Sequence, residues 1–181
     1  GPFISSKFYK ILYKDGYYAK KLAYFVLSSI KRLWDVFRAL RYHIIFIHLE
    51  TFPFGLPIIE YFWAFLGKKM VFDLDDAIYI RNASAANRPF GFLKYPSKIP
   101  QIIKLSRYII VCNSYLKTYA KQFIDEKKIE VIHTAVDTEK FIPWNDEKVM
   151  EKIVIGWIGS YSTSVYLYQL KEILQKLAKK Y

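Results

Sequence analysis

Apolar positions along this chain follow two different periods, and stretches of the two alternate. From Tyr17 to Leu40, Leu22, Phe25, Val26, Ile30, Leu33, Phe37 and Leu40 recur at three- and four-residue steps, which predicts one long helix. Lys20, Lys21, Lys31, Arg32, Arg38 and Arg41 fall mostly between them. A basic amphipathic helix of this kind either packs with a wet face outward or lies against a membrane surface. His43 to His48 is a continuous apolar run, the pattern of a strand buried on both faces in a parallel sheet. A helix is expected from about Pro57 to Leu66, with proline in its first turn and Gly67 closing it.

A second strand begins at Val71 and runs into acidic residues. Arg81 to Pro96 is polar, punctuated by glycine and proline, and long enough for a functional loop. A helix over Ser97–Arg107 follows, with Pro100 in its first turn, then a strand over Tyr108–Cys112. Asn113-Ser114 caps a helix from Tyr115 to Phe123, and Ile129–His133 is a further strand. Thr134–Pro143 is turn-rich, Trp144–Lys152 reads as a charged linker, and Ile153–Ile158 and Val165–Lys180 make one more strand and helix. Phe3–Gly16 is aromatic and basic with no strong period.

Strands alternating with helices predict an α/β fold with a parallel sheet. The expected division is a first domain over residues 1–143, a linker over 144–152 and the start of a second α/β domain over 153–181. One strand and one helix cannot bury both their faces. That pair is expected to dock on the first domain, or the chain is part of something longer.

Composition narrows the partners. Of 181 residues, 53% are apolar, enough for a sizeable core and too many for global disorder. The net charge of +12 suggests a polyanionic neighbour, whether nucleic acid, an anionic membrane or phosphate-bearing substrates, against the plainer reading of a solvated basic surface. The lone cysteine, Cys112, sits in an apolar run and reads as a small core residue; without a second cysteine no intrachain disulfide forms, which agrees with a reducing compartment. The longest spanning-like stretch, His43–Gly67, is broken by Glu50, Pro53, Pro57 and Glu60, so no transmembrane helix is expected there.

Candidate chemistry gathers after the second strand. In Phe72-Asp73-Leu74-Asp75-Asp76-Ala77, three carboxylates fall within four positions. Strand alternation puts Asp73 and Asp75 on one face, with Asp76 at or beyond the strand end. Like charges this close repel, so the cluster needs water, a cation, hydrogen-bond donors or a polar ligand. The carboxyl end of strands is where open α/β sheets bind ligands. The competing reading makes each Asp a turn former or helix cap, and a divalent metal is a further use for oxygen ligands. No His or Cys cluster accompanies them, so zinc is not expected. His48 and Glu50 flank another strand end and either face the same crevice or serve as a packed edge and a solvated acid. His133 lies at a third strand end, and Asp137-Thr138-Glu139 is most simply a cap or turn. Gly156-Trp157-Ile158-Gly159-Ser160 has the makings of a phosphate cradle before a helix N-terminus, or of a tight strand-to-helix turn.

Several of these stretches, in this order, resemble the GT-B glycosyltransferases of the large retaining family often called group 1 or family 4. Phe72–Ala77 resembles the acidic strand-end motif of one branch, and Asn113-Ser114-Tyr115-Leu116 a second recurring stretch. Val131–Pro143 resembles the segment between that fold's halves, and Ile155–Ser160 the first strand and glycine loop of the donor half. The resemblance covers about residues 43 to 180 and implies two Rossmann-like halves, with a nucleotide-sugar bound mainly to the second and the acceptor mainly to the first. It implies catalytic roles for Asp75 and Asp76, Asp75 falling near the position where many members place a catalytic-site His. His48, Glu50, Asp73, Arg81 and Asn82 are the implied acceptor contacts, and Gly156, Gly159 and Ser160 the implied donor diphosphate contacts.

No cofactor or metal is expected on this reading, the nucleotide-sugar being a substrate and the acceptor a glycan, a lipid or a small molecule. The expected location is cytoplasmic, either free or in peripheral contact with the inner face of an anionic membrane. The departures are Pro and Gly replaced by His133 and Ala135 in the linking segment, no glycine-rich opening strand before residue 43, and most of the second half missing together with the donor-binding E-x7-E motif expected in it, so a portion of a longer transferase is expected. Two alternatives stand beside it: a basic nucleic-acid-binding module, and a non-catalytic α/β scaffold.

Overall fold

The computed structural model describes residues 3–12, 14, 16–80, 94–142, 154–159 and 164–180. Backbone contacts divide the chain into two units, Gly1–Ala135 and Val136–Tyr181. In the first, α1 (Ser6–Leu12) and α2 (Tyr18–Ala39) precede β1 (Ile44–His48). Then come α3 (Ile58–Phe65), β2 (Lys69–Leu74), α4 (Lys98–Leu105), β3 (Tyr108–Val111), α5 (Ser114–Ala120) and β4 (Ile129–Val131). All four strands are parallel and lie in the order β1-β2-β3-β4. The α/β alternation in the sequence thus becomes a parallel sheet flanked by helices, a Rossmann-like arrangement.

Sequential strand order decides where the core lies. Crossovers between parallel strands are almost always right-handed, so a sheet that grows in one direction carries its crossover helices on one face. Met70, Phe72 and Leu74 of β2 are wholly buried there, as are Ile109 and Val111 of β3. They cluster with Ile45 and Ile47 of β1, Trp63 of α3, Ile99, Ile102 and Ile103 of α4 and Leu116 of α5. The other face carries the alternate residues. Ile44 and Phe46 are each 59% exposed, against 7% and 4% for Ile45 and Ile47. This corrects the expectation that the β1 run is buried on both faces: its unbroken apolar character supplies two apolar faces, but the crossovers cover one.

Local signals account for most element ends. Helix α2 fills the predicted stretch. Its Val36 is buried against the sheet side, with the Val36 carbonyl accepting from Trp63 Nε1 at 3.3 Å. Lys68 Nζ donates to the carbonyls of Leu40 (2.6 Å) and Tyr42 (3.2 Å), a cation at the negative end of a helix. Gly67 ends α3 at φ +68, a left-handed turn that costs any other residue about 1–2 kcal/mol. Asn113 caps α5, its side chain accepting from the Leu116 amide at 2.9 Å. Helix α1 lies where the sequence shows no period: it has seven residues and buries one, Phe8, which stacks on Tyr24 at 5.7 Å.

In the second unit, Asp137 caps a turn by accepting from the amides of Glu139 and Lys140 at 3.1 Å each. Val154–Gly159 is exposed and pairs with no strand, so the expected strand over 153–158 is absent from the described residues. A strand exists by its ladder, and no neighbour supplies one here. The expected single helix is two, α6 (Ser164–Gln169) and α7 (Lys171–Lys180), separated at Leu170. The linker residues 144–152, and Ile153, lie outside the described residues. No helix among the described residues is long and apolar enough to cross a membrane.

Candidate functional site

The open face of the sheet ends in a polar cluster, and the register of the strands explains why. His48 pairs in register with Asp73, and Asp73 with Ile110, so one row across β1, β2 and β3 projects His48, Asp73 and Ile110 from the same face. His48 Nδ1 stands 3.0 Å from Asp73 Oδ2. A carboxylate only accepts, so Nδ1 carries the proton of that bond. Nε2 then faces Asp75 Oδ2 at 3.9 Å, close enough for charge interaction but too long for a hydrogen bond. The imidazole is therefore held between two carboxylates.

Beside this group lies a hollow of about 300 Å³, lined by Phe46, Asp73, Asp75, Ile110, Cys112, Ile132 and Thr134. Phe46, Ile110 and Ile132 give it an apolar floor, and Asp73, Asp75, Cys112 and Thr134 a polar rim. Such a surface suits a polyhydroxylated ligand, whose C–H faces rest on the floor while its hydroxyls donate to carboxylates. Cys112 and Thr134 join this rim without having been singled out for it. Cys112 is half-buried: it packs against the core cluster and also lines the hollow. Its thiol donates to the Asp75 carbonyl at 3.1 Å, and its own carbonyl accepts from His133 Nδ1 at 2.9 Å. Alternation along Tyr108-Ile109-Ile110-Val111-Cys112 was the available signal, since Ile110 and Cys112 share a face.

The other acidic candidates separate. Asp76 Oδ1 accepts from the next amide, Ala77 N, at 2.7 Å, and its carbonyl accepts from Ile78 N at 2.8 Å, so this carboxylate shapes the turn after β2. That turn is braced by Tyr79, whose ring stacks on Tyr119 at 3.5 Å. Burial, and then a hydrogen bond with Tyr115, push the Tyr79 hydroxyl up to about 12.

Glu50 is drawn away from the hollow. Leu49 takes φ +61, a left-handed conformation rare for a branched side chain, and the chain reverses there. Glu50 then meets Lys98 Nζ at 2.8 Å, and the same ammonium donates to the Phe52 carbonyl at 2.6 Å. The Lys98 side chain is only 4% exposed. Burial raises the Glu50 carboxyl above its ordinary value, outweighing the lowering by Lys98. Nearby, Glu60 is 2% exposed and its Oε1 accepts from the Thr51 amide at 3.4 Å. These charges fasten the β1–α3 loop to α4.

Among the described residues no group of three or more His, Cys, Asp or Glu side chains is placed to hold a metal ion. Arg81, Asn82 and Ser160 lie outside the described residues. Gly156 and Gly159 belong to the second unit, where both are exposed. A Cβ on Gly159 would overlap the Trp157 ring, whereas one on Gly156 would meet nothing.

No curated protein matches the chain. A family model described as Glycosyltransferase Family 4 matches residues 8–140, a stretch that contains all four strands and every residue lining the hollow. Since that match spans well over half of the 181 residues, the chain belongs to Glycosyltransferase Family 4.

Proposed function

We propose that this chain is the acceptor-side part of a retaining GT-B glycosyltransferase, and that the hollow on the open sheet face receives the acceptor. The single observation that carries the reading is one hollow at the carboxyl end of the sheet lined by Asp73 and Asp75, with His48 between these two acids. In the transfer, a bond forms between the acceptor oxygen and the anomeric carbon of a nucleotide-sugar, the bond to the diphosphate breaks, and the acceptor's hydroxyl proton passes to the departing diphosphate. Positive charge develops at that carbon, and a fixed carboxylate beside it lowers the barrier. Asp75 is the residue for this role, and it also orients an acceptor hydroxyl by accepting its hydrogen bond.

His48 holds Asp73 in place and is the group between the two acids that donates. Asp76 supports the turn that carries Asp75. Gly156, Gly159 and Ser160 remain the residues proposed for the donor diphosphate, on the strength of the resemblance alone. Family membership favours a transferase over a nucleic-acid-binding module. The acceptor class stays at a glycan, a lipid-linked sugar or a small molecule with a free hydroxyl.

Transfer of labelled sugar from a panel of nucleotide-sugars, with anomeric configuration read by NMR, tests the reading. Asp75→Asn is expected to lower the rate by about 10²- to 10³-fold with the circular dichroism spectrum unchanged. Full activity in that variant would remove Asp75 from the chemistry. Product of inverted configuration would remove the retaining assignment. Absence of transfer with every donor would favour a non-catalytic scaffold.

A further inference from the structure

Helix α2 exposes an apolar stripe that neither the core nor the proposed reaction uses. Leu22, Val26, Ile30, Leu33, Trp34 and Phe37 are between 47% and 67% exposed. Their spacing places them within an arc of roughly 120° of the helix surface. The core side of the same helix is occupied by Val36 and by Phe25, which packs on Phe52 and Phe54 at 5.9 and 5.4 Å. The helix is thus amphipathic twice over, with one apolar face inward and another outward.

Charge says what the outer face meets. Lys20, Lys31 and Arg38 fall along one edge of the stripe, and all three are exposed. The one acid of the helix, Asp35, is half-buried and faces Arg38 Nη1 at 3.7 Å. Exposed Tyr17 and Tyr18 stand at its beginning, and the chain as a whole carries +12. Helix α3 gives the contrast. It too exposes apolar side chains, Phe65 at 88% among them, but has no cation anywhere along it. On α2 exposed apolar residues and cations run together over 22 residues; α7 repeats the pattern over ten, with Ile173 and Leu177 among its lysines.

We infer that α2 is a membrane-surface helix, lying parallel to an anionic bilayer with Leu22 to Phe37 inserted below the headgroups and Lys20, Lys31 and Arg38 among the lipid phosphates. A helix of 22 residues rises about 33 Å, and it lies flat because its cations run along its length rather than at its ends. Nothing in the inference depends on the transfer reaction, so it stands or falls separately from it.

Flotation with vesicles of phosphatidylcholine containing 30% phosphatidylglycerol, and with phosphatidylcholine alone, tests it on the unmodified chain. Binding is expected on the anionic vesicles, with at least tenfold less on the neutral ones and a marked loss in 0.5 M salt. Leu33→Asp with Phe37→Asp is expected to abolish binding, and Lys20→Glu with Lys31→Glu to weaken it at least tenfold. All four positions are exposed, and unchanged melting temperatures would show that the fold is intact. A variant that does not fold is replaced by emission: Trp34 fluorescence, isolated by difference against Trp34→Phe, shifts to the blue on anionic vesicles. Absence of binding to anionic vesicles overturns the inference. So does binding that survives Leu33→Asp with Phe37→Asp, which would be plain charge attraction of the kind nucleic acid also shows. A dimer dissociated by those same substitutions, with no vesicle binding, would give the stripe to a second copy of the chain instead.

Discussion

The two faces of the sheet are built from the same four strands and do opposite work. On the packed face, Met70, Phe72, Leu74 and Ile109 have no exposed surface and sit under three helices. On the open face, one residue along in each strand, Phe46, Asp73 and Ile110 line a hollow with a carboxylate rim. A two-residue period separates a set that stabilises the fold from a set that is free to meet a ligand. Shape and chemistry on the open face are therefore not fixed by core packing, and substitutions there should change binding without unfolding the chain.

The sharpest way to break that contrast is on the packed side. Phe72→Ala leaves a cavity beneath α4 and is expected to destabilise by about 3–5 kcal/mol, read from urea unfolding. Ile110→Ala, one strand over on the open face, is expected to cost under about 1 kcal/mol. Comparable losses at both positions would mean that the two faces are not distinct.

The loop after β1 gives the next largest effect. Lys98→Met leaves Glu50 without its counter-charge and the Phe52 carbonyl without its donor. A loss near 3 kcal/mol is expected, because breaking a buried pair strands the remaining charge. A near-neutral result would show that the β1–α3 loop is not held by this ammonium. Asn113→Ala removes the α5 cap and is expected to cost about 1 kcal/mol, with thermal melting as the readout.

The smallest effect is a slope. Burial raises the folded pKa of Glu50 above its ordinary 4.5. The folded state thus favours the protonated carboxyl. Its contribution is fully present below the unfolded value and fades as pH rises through the folded one. Relative to Glu50→Gln, the unmodified chain should lose stability as pH climbs from about 4.5 through that range. A gain over the same range would reverse the sign assigned to Glu50.

The sequence carried the elements of the first unit well, because each had a local signature: three- and four-residue steps in α2, Gly67 after α3, Asn113 before α5. It carried Asp73 and Asp75 to one face by alternation alone. What it did not carry depends on contacts distant in the chain. The apolar run of β1 looks buried on both sides, and only the order of the strands shows that one side is bare. Glu50 looked free to enter the crevice. It is turned aside by a left-handed Leu49, which no residue type announces, toward a lysine 48 positions later. Alternation separates Asp75 from Asp76 but does not say what Asp76 does: it ties a turn, while Asp75 lines the hollow. The apolar neighbours of Cys112 point to the core, which it does touch, but only its parity with Ile110 points to the hollow. The strand expected over 153–158 had the right composition, but among the described residues 154–158 pair with no strand.

Filling the hollow from its floor tests the central claim most directly. Ile110→Trp places an indole where the acceptor is proposed to rest, on a face that the core does not use. Sugar transfer and thermal melting are measured on the same preparation. The account predicts that transfer falls by at least about 100-fold while the melting temperature moves by no more than about 3 °C. Undiminished transfer with the indole in place would contradict it.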